Sequence, residues 1–226
     1  DRKTTGTIMG ASALANIDKG LHHLFLSQIE TLGMEPVARR SGIVSQLAPE
    51  RGRGSAWMAG IGPDCLMTVL DLEVEGAVDL TSCGPGYFCL GIMSPSCLET
   101  MPRPVSAPGP AGLVMYCQDA GSYAYRLKPR TPYVSRSLCF TPRFWEQLAF
   151  DRRSDGDALL ERFATAPQVL NAPHVGAMLQ RLDARTADAA ATELHLTALA
   201  AEAVACLMDT AEAEGQAEAA RGSSDG

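Results

Sequence analysis

The spacing of apolar residues changes at Thr141, and this change constrains the fold more than any other feature of the sequence. Before it, residues 51 to 141 contain short apolar runs separated by glycine and proline, the pattern of β-strands joined by turns. After it, apolar residues recur three and four positions apart, as they do along one face of a helix. The sequence therefore predicts a β-rich unit followed by a helical one.

Strand patterns recur throughout the first unit. They cover residues 55–61, 65–74, 78–82, 87–93, 113–118, 122–127 and 133–140, with a weaker one at 43–47. Four prolines between residues 102 and 110 interrupt the series and predict a long surface loop at 102–112. Seven or eight short strands of this kind are typical of an antiparallel barrel or sandwich.

The strand at residues 65–74 is apolar on both of its faces at one end. Leu70 and Leu72 fall on one face, and Met67 and Val69 fall on the other. Such a strand should be buried on both sides.

Helical patterns occur at both ends of the chain. Asp18 can cap a helix that ends at Gly33, and Thr141 with Pro142 can start another. Further helices are predicted at 157–166, 173–184 and 187–214. Residues 215–226 include no aromatic or branched apolar side chain, which predicts a disordered tail or linker. We therefore divide the chain into an N-terminal arm (1–40), a β-unit (41–141), a helical segment (142–214) and a tail (215–226).

Composition places the 226 residues among ordinary globular proteins, with 46% hydrophobic and 20% charged residues. A net charge of -7 disfavours a free-standing nucleic-acid binder, which needs a basic face. No apolar run approaches the roughly 18 residues of a membrane span, and no secretory pattern opens the sequence, so we predict a cytoplasmic protein without membrane contact. The seven cysteines form no CxxC pair, which predicts reduced thiols.

Three segments resemble the N-terminal effector-binding and dimerisation half of AraC-family transcription regulators. They are GSAWMAGIGPDCLMTVLDLEVEG, LCFTPRFWEQLA and LTALAAEAVACLMD, and Glu202 in the last one fits a common family glutamate. The similarity covers residues 41–212. It implies an α+β fold, in which an antiparallel cupin-like barrel of about seven or eight strands precedes a helical segment with a long dimerisation helix.

The same resemblance implies a non-enzymatic function without a cofactor. The barrel would bind a small effector, the chain would form a homodimer through its last helices, and DNA would be contacted only through a C-terminal helix-turn-helix half. That half would lie beyond the present sequence, at the point where a linker is predicted.

A small-molecule site in the β-unit is the main functional prediction, because a barrel of this size can enclose one ligand among apolar walls. Methionines on the strands favour an adaptable wall, so aromatic and phenolic compounds are the first candidates. Arg126 lies in an apolar strand and would pair with an acidic effector. The candidate ligand-binding residues are Trp57, Met67, Val69, Tyr87, Cys89, Met93, Met115, Tyr123, Tyr125 and Arg126.

The last helix has two apolar stripes, which can serve one contact to the domain and one to a partner helix. Its candidate dimerisation residues are Leu196, Leu199, Ala203, Cys206 and Leu207. Asp188, His195, Glu202 and Asp209 recur every seven residues and form a polar stripe. Of these, Glu202 is the candidate for contact with a second subunit or a DNA-binding half.

No catalytic residue or metal ligand is predicted. Metal-dependent cupin chemistry needs about three imidazoles in the barrel, and no histidine occurs between residues 24 and 173. The GxSxG pattern of a serine nucleophile is also missing from the sequence. Two alternatives remain: a metal-independent cupin-fold enzyme acting on a small molecule, and an interaction module whose barrel is fully packed.

Overall fold

Ten strands and five α-helices make up the described part of the computed structural model, which comprises residues 21–100, 112–148 and 168–222. The strands are β1 (Glu35–Arg39), β2 (Gly42–Gln46), β3 (Gly52–Gly60), β4 (Cys65–Val74), β5 (Val78–Gly84), β6 (Tyr87–Met93), β7 (Gly112–Gln118), β8 (Gly121–Leu127), β9 (Pro132–Phe140) and β10 (Gln168–Asn171). The helices are α1 (Leu21–Leu32), α2 (Pro95–Glu99), α3 (Pro142–Leu148), α4 (Pro173–Gln180) and α5 (Thr192–Gly222), with a 3-10 turn at Ala184–Thr186. The predicted helix at 157–166 and nearly all of the predicted loop at 102–112 lie outside the described residues.

Eight strands form one antiparallel sheet in the order β1-β2-β3-β4-β9-β6-β7-β10, while β5 and β8 pair with each other in a second sheet. The large sheet is not closed into a barrel, because β1 and β10 are its two edges. The predicted cupin-like barrel is therefore wrong, whereas the mixed α+β class with a C-terminal helix is confirmed. The apolar pattern predicts where most of the strands lie, but not which strands pair.

The central strands of the large sheet are buried on both faces. One face, which we call the helix face, packs against α3, α4 and α5. The other, the cavity face, packs against α1 and the β5-β8 sheet. On β4, Met67 and Val69 point to the helix face, and Leu66 and Leu72 point to the cavity face. This confirms the prediction that β4 is buried on both sides.

Most predicted elements are present, with differences at the edges and at the end of the described chain. β4 and β6 have the predicted bounds. β1 contains Pro36 and is wholly exposed, which is tolerated because an edge strand leaves one row of backbone groups unpaired. Helix α5 continues to Gly222, past the predicted end at Glu214, because the alanine, glutamate and glutamine residues that follow are strong helix formers. Much of the segment predicted to be disordered is therefore helical.

No helix in the described residues combines the length and the apolar character needed to cross a membrane.

Burial of His22 should make the stability of the fold depend on pH. His22 lies on α1 with 9% of its surface exposed, and its Nδ1 atom has no hydrogen-bond partner among the described residues. Burial lowers the pKa of His22 below the usual 6.5. The unfolded chain therefore binds a proton at this histidine at a pH where the folded chain does not. Because the unfolded state then holds more protons, the free energy of unfolding should fall as the pH drops below about 6.5.

Chemical denaturation at a series of pH values between about 7.5 and about 5 tests this expectation. His22→Gln removes the titrating group and should flatten the decline in stability. His23→Gln is the matched control, since His23 is the exposed neighbour on the same helix, and it should keep the wild-type decline. An unchanged pH profile in His22→Gln would contradict the assignment.

Candidate functional site

A cavity of about 120 Å³ lies between the cavity face of the large sheet, helix α1 and the β5-β8 sheet. An engineered cavity of about 150 Å³ in another protein holds one benzene molecule, so this space suits a single ring or part of a larger ligand. Helix α1 contributes Phe25, Gln28, Ile29 and Leu32, and the second sheet contributes Leu80, Ala124, Tyr125 and Leu127. The large sheet and α2 contribute Met58, Thr68, Leu70, Leu72, Tyr87, Cys89, Met93, Cys97, Tyr116, Gln118, Tyr133, Ser135, Ser137 and Cys139, and Thr100 follows α2.

The wall of the cavity is mostly apolar and carries no formal charge in the part that the structure describes. Its described residues include no Asp, Glu, Lys, Arg or His. A charged ligand entering this space would lose its hydration without gaining an opposite charge. The cavity therefore favours a neutral ligand.

A small number of hydroxyl and amide groups supply polarity. The hydroxyl oxygens of Thr68 and Ser137 are 2.8 Å apart, and those of Ser135 and Ser137 are 3.4 Å apart. The Tyr125 hydroxyl donates to the Gln28 side-chain oxygen at 2.8 Å, which ties β8 to α1 across the cavity. Few fixed polar groups among apolar walls are the usual make-up of a small-molecule pocket.

Two thiols form the most unusual feature of the wall. Cys89 on β6 and Cys139 on β9 are register partners, and their Sγ atoms are 3.5 Å apart. The Cys139 thiol donates its hydrogen bond to the Cys89 sulfur. Cys89 and Cys139 are both buried and in the thiol form, as is Cys65.

Hydrogen bonding separates the acidities of the two thiols. Burial acts to raise the pKa of Cys89, but hydrogen bonds from Cys139, Tyr116 and Ser137 together lower it. The hydrogen bond to Cys89 and then burial raise the pKa of Cys139 well above its usual value. Burial, together with the neighbouring Cys89 charge, also raises the pKa of Tyr116, which stays a hydrogen-bond donor. Cys89 is thus the thiol of the pair that ionises more readily.

Four of the ten predicted ligand-binding residues line the cavity. They are Tyr87, Cys89, Met93 and Tyr125. Four others, Trp57, Met67, Val69 and Met115, are buried in the core on the helix face, on the opposite side of the sheet. The residues of both groups lie in buried strands. Which face of the sheet borders the cavity depends on the positions of α1 and the β5-β8 sheet, and the sequence does not show where these elements pack.

Arg126 and Tyr123 complete the predicted set. Arg126 is exposed and does not line the cavity; its Nε and terminal nitrogen bind the two Asp79 carboxylate oxygens at 2.7 and 2.8 Å. It therefore closes a cross-strand ion pair between β5 and β8. The backbone of Tyr123 lies in β8, and its side chain is outside the described part of the chain.

The polar residues of the cavity wall are not among the predicted site residues, although the sequence carries a signal for them. Ser135, Ser137 and Cys139 occupy every second position of β9, on the side of the strand opposite Leu138 and Phe140. Small polar side chains repeated on a buried face leave space that larger apolar residues would fill. The contribution of α1 carries no such local signal, because the helix reaches the cavity only through tertiary packing.

The predicted dimerisation residues lie mainly inside the chain's own core. Leu196, Leu199, Ala203 and Leu207 are buried against the helix face, and Cys206 is half-buried. These side chains hold α5 against the large sheet. A partner helix would therefore have to meet α5 on a different stripe.

Glu202 is exposed and contacts a histidine within the chain. Its carboxylate lies 2.9 Å from Nε2 of His174 on α4. The pair joins α4 to α5 and gives Glu202 a local partner. Asp188, also in the predicted polar stripe, accepts a hydrogen bond from the Arg40 backbone N–H at 3.0 Å.

Comparison with known proteins leaves the function to be argued from the chain itself. No protein-family model, curated protein or solved structure matches it. Three features of the chain bear on its function: the cavity, the thiol pair in its wall, and the packing of α5 against the large sheet.

Proposed function

We propose that this chain is the small-molecule-sensing and dimerisation domain of an AraC-type transcription regulator, which controls how a DNA-binding domain is presented. The observation that supports a sensing role is the cavity. It is neutral, mostly apolar and close in size to one aromatic ring. Its effector would be an uncharged aromatic or phenolic compound, and the protein would act without catalysing a reaction.

The large sheet offers a route from the cavity to α5. On β9, Cys139 lines the cavity, while its neighbour Leu138 points to the core that holds α5. On β6, Cys89 and Leu90 are arranged in the same way. A ligand that binds one arrangement of these strands more tightly than another would shift the population of α5 positions.

Calorimetric titration with neutral single-ring compounds tests the sensing role. We expect phenol or a substituted phenol to bind in a 1:1 ratio and to stabilise the fold by about 2.7 kcal/mol when present at 100 times its dissociation constant. Benzoate, which has the same ring with a charge, should bind more weakly because the wall offers no counter-charge. A well-folded protein that binds no member of a broad panel of such compounds would count against the proposal.

The proposed homodimer would form through an exposed stripe of α5. Leu194 is 74% exposed, and Ala198, Ala201 and Ala205 are exposed at spacings of four, three and four residues. This is the spacing of a helix seam that meets a second helix. We assign the stripe to a second copy of the chain. Because alanine buries little area, Leu194 should supply most of the affinity.

Leu194→Glu should weaken the dimer by about 10- to 150-fold, since burying a leucine contributes about 1.5 to 3 kcal/mol. Sedimentation equilibrium over a range of concentrations would measure the change. His195→Glu is the matched control, because it adds the same charge to an exposed position that points about 100° away on the helix. A wild-type chain that stays monomeric at high concentration would remove the dimer from the proposal.

A further inference from the structure

Two of the sulfur atoms in the cavity wall, those of Cys89 and Cys139, are placed to act together. Cys89 and Cys139 are 1% and 0% exposed, both line the cavity, and their Sγ atoms are 3.5 Å apart. We propose that they form a dithiol site at which the cavity captures a trivalent arsenical that carries one small apolar group. The inference rests on the proposed function in one respect, since it needs the cavity to admit a ligand.

The separation of the sulfurs favours bridging by a third atom. Register partners on adjacent antiparallel strands point to the same side of the sheet, so Cys89 and Cys139 present their sulfurs to one point. Two thiolates on a pyramidal trivalent centre, with bonds of about 2.3 Å and an angle of about 100° between them, lie about 3.5 Å apart. The observed 3.5 Å is close to that value. A direct disulfide would need the sulfurs to approach to about 2.05 Å, which is a much larger displacement.

The residues around the two sulfurs determine which kind of atom can bridge them. The described residues contain no group of three or more His, Cys, Asp or Glu side chains able to hold a metal ion. A zinc ion, which takes four such ligands in a structural site, would therefore lack partners here. A soft centre that needs two sulfurs and brings its own third substituent matches the pair. The apolar wall, with Phe25 and Leu72 among its members, can receive that substituent.

The capture reaction is a ligand exchange without oxidation. In water the arsenical carries two hydroxyl groups on arsenic. Two S–H bonds and two As–O bonds break, two As–S bonds form, and each released hydroxyl leaves with a thiol proton as water, so two waters are produced and arsenic stays trivalent. The Cys89 sulfur, which accepts the hydrogen bond from Cys139, attacks first because it is the more readily ionised thiol. Cys139 then closes the ring.

Phenylarsine oxide, added to the folded full chain in an excess of 2-mercaptoethanol, provides the test. We expect native mass spectrometry to show one retained phenylarsenic group, which dithiothreitol removes. Cys89→Ala and Cys139→Ala should each weaken retention on the order of 10²- to 10⁴-fold, because only two linked sulfurs resist a competing monothiol. Cys65→Ala is the matched control. Cys65 is also 0% exposed, but it lies on the helix face, away from the cavity. The Cys65→Ala variant should therefore retain the phenylarsenic group as the wild type does.

A second readout uses only the wild-type chain, so it does not depend on the folding of the variants. The adduct is denatured in N-ethylmaleimide, and the unlabelled cysteines are mapped; Cys89 and Cys139 should be the two that are spared. No retained adduct, a different spared pair, or full retention by either alanine variant would overturn the dithiol site.

Phenol, which lacks arsenic, separates this inference from the proposed function. Phenol binding without retention of the arsenical would overturn the dithiol site and support the sensing role. Retention of the arsenical without phenol binding would support the dithiol site and count against an aromatic effector.

Discussion

Replacing Trp57 with alanine should lower the free energy of unfolding by about 3 to 5 kcal/mol, the range for removing a large aromatic side chain from a core. Trp57 is fully buried on the helix face. Its indole N–H donates to the Ser41 carbonyl oxygen at 2.7 Å, and the Ser41 N–H donates to the Ala187 carbonyl oxygen at 2.8 Å. The side chain therefore supports both the sheet and the segment that leads into α5.

The variant Trp57→Phe measures how much of this fall in the free energy of unfolding comes from the lost hydrogen bond. Trp57→Phe keeps much of the apolar area but leaves the buried Ser41 carbonyl without its indole donor, at a cost of about 1 to 3 kcal/mol. Trp145→Phe is the matched comparison. Trp145 is 2% exposed, and its indole nitrogen has no hydrogen-bond partner within the described residues, so its removal leaves no acceptor unpaired. Trp57→Phe should therefore destabilise the protein more than Trp145→Phe.

Urea denaturation followed by far-ultraviolet circular dichroism would give these differences, since tryptophan fluorescence changes with the substitutions themselves. If Trp57→Ala cost less than about 1 kcal/mol, Trp57 would not be a core residue and its assignment to the helix face would fail. Trp57 lies on the opposite side of the sheet from the cavity, so the folded variants should bind a cavity ligand with wild-type affinity.

Trp57 and Cys89, both predicted to bind a ligand, lie on opposite faces of the sheet, and this shows where sequence reasoning reaches its limit. Alternation along β3 and β4 correctly separates neighbouring side chains, such as Met67 and Thr68, into two faces. Both faces are buried, however, so hydrophobicity does not indicate which one borders a cavity. That depends on α1 and the β5-β8 sheet, which reach the cavity face through contacts between residues distant in sequence.

The failure of the barrel prediction has a related cause. Strand positions follow from local patterns, and β4, β6 and β9 are found where those patterns place them. The pairing of the strands does not follow from local patterns. β5 pairs with β8 in a separate sheet. The short strand β10, which lies in the segment predicted to be helical, extends the large sheet beyond β7. A four-residue strand carries too little periodicity to be recognised, yet it forms an edge of the sheet.

Ser135→Leu should abolish much of the binding at the cavity while leaving the fold intact. Ser135 is buried on the cavity face of β9, and among the described residues its hydroxyl makes only a 3.4 Å contact with Ser137, so little hydrogen bonding is lost. A leucine at this position would occupy part of the 120 Å³ cavity. A ligand that still entered would overpack the site at a cost of about 1 to 3 kcal/mol, which corresponds to roughly 5- to 150-fold weaker binding.

Ser135→Ala is the control, because it removes the same hydroxyl and keeps the space open. It should bind phenol with nearly wild-type affinity in calorimetry, whereas Ser135→Leu should not. Equal binding by the leucine variant would place the ligand elsewhere.

The pair of variants also tests the link between the two proposed roles, ligand sensing and dimerisation. If the cavity controls α5, a ligand must change the dimer dissociation constant of the wild type and of Ser135→Ala, and by reciprocity dimerisation must change ligand affinity by the same factor. At the same ligand concentration, the dimer dissociation constant of Ser135→Leu should respond far less, because the added side chain denies the ligand its site without touching the exposed stripe of α5.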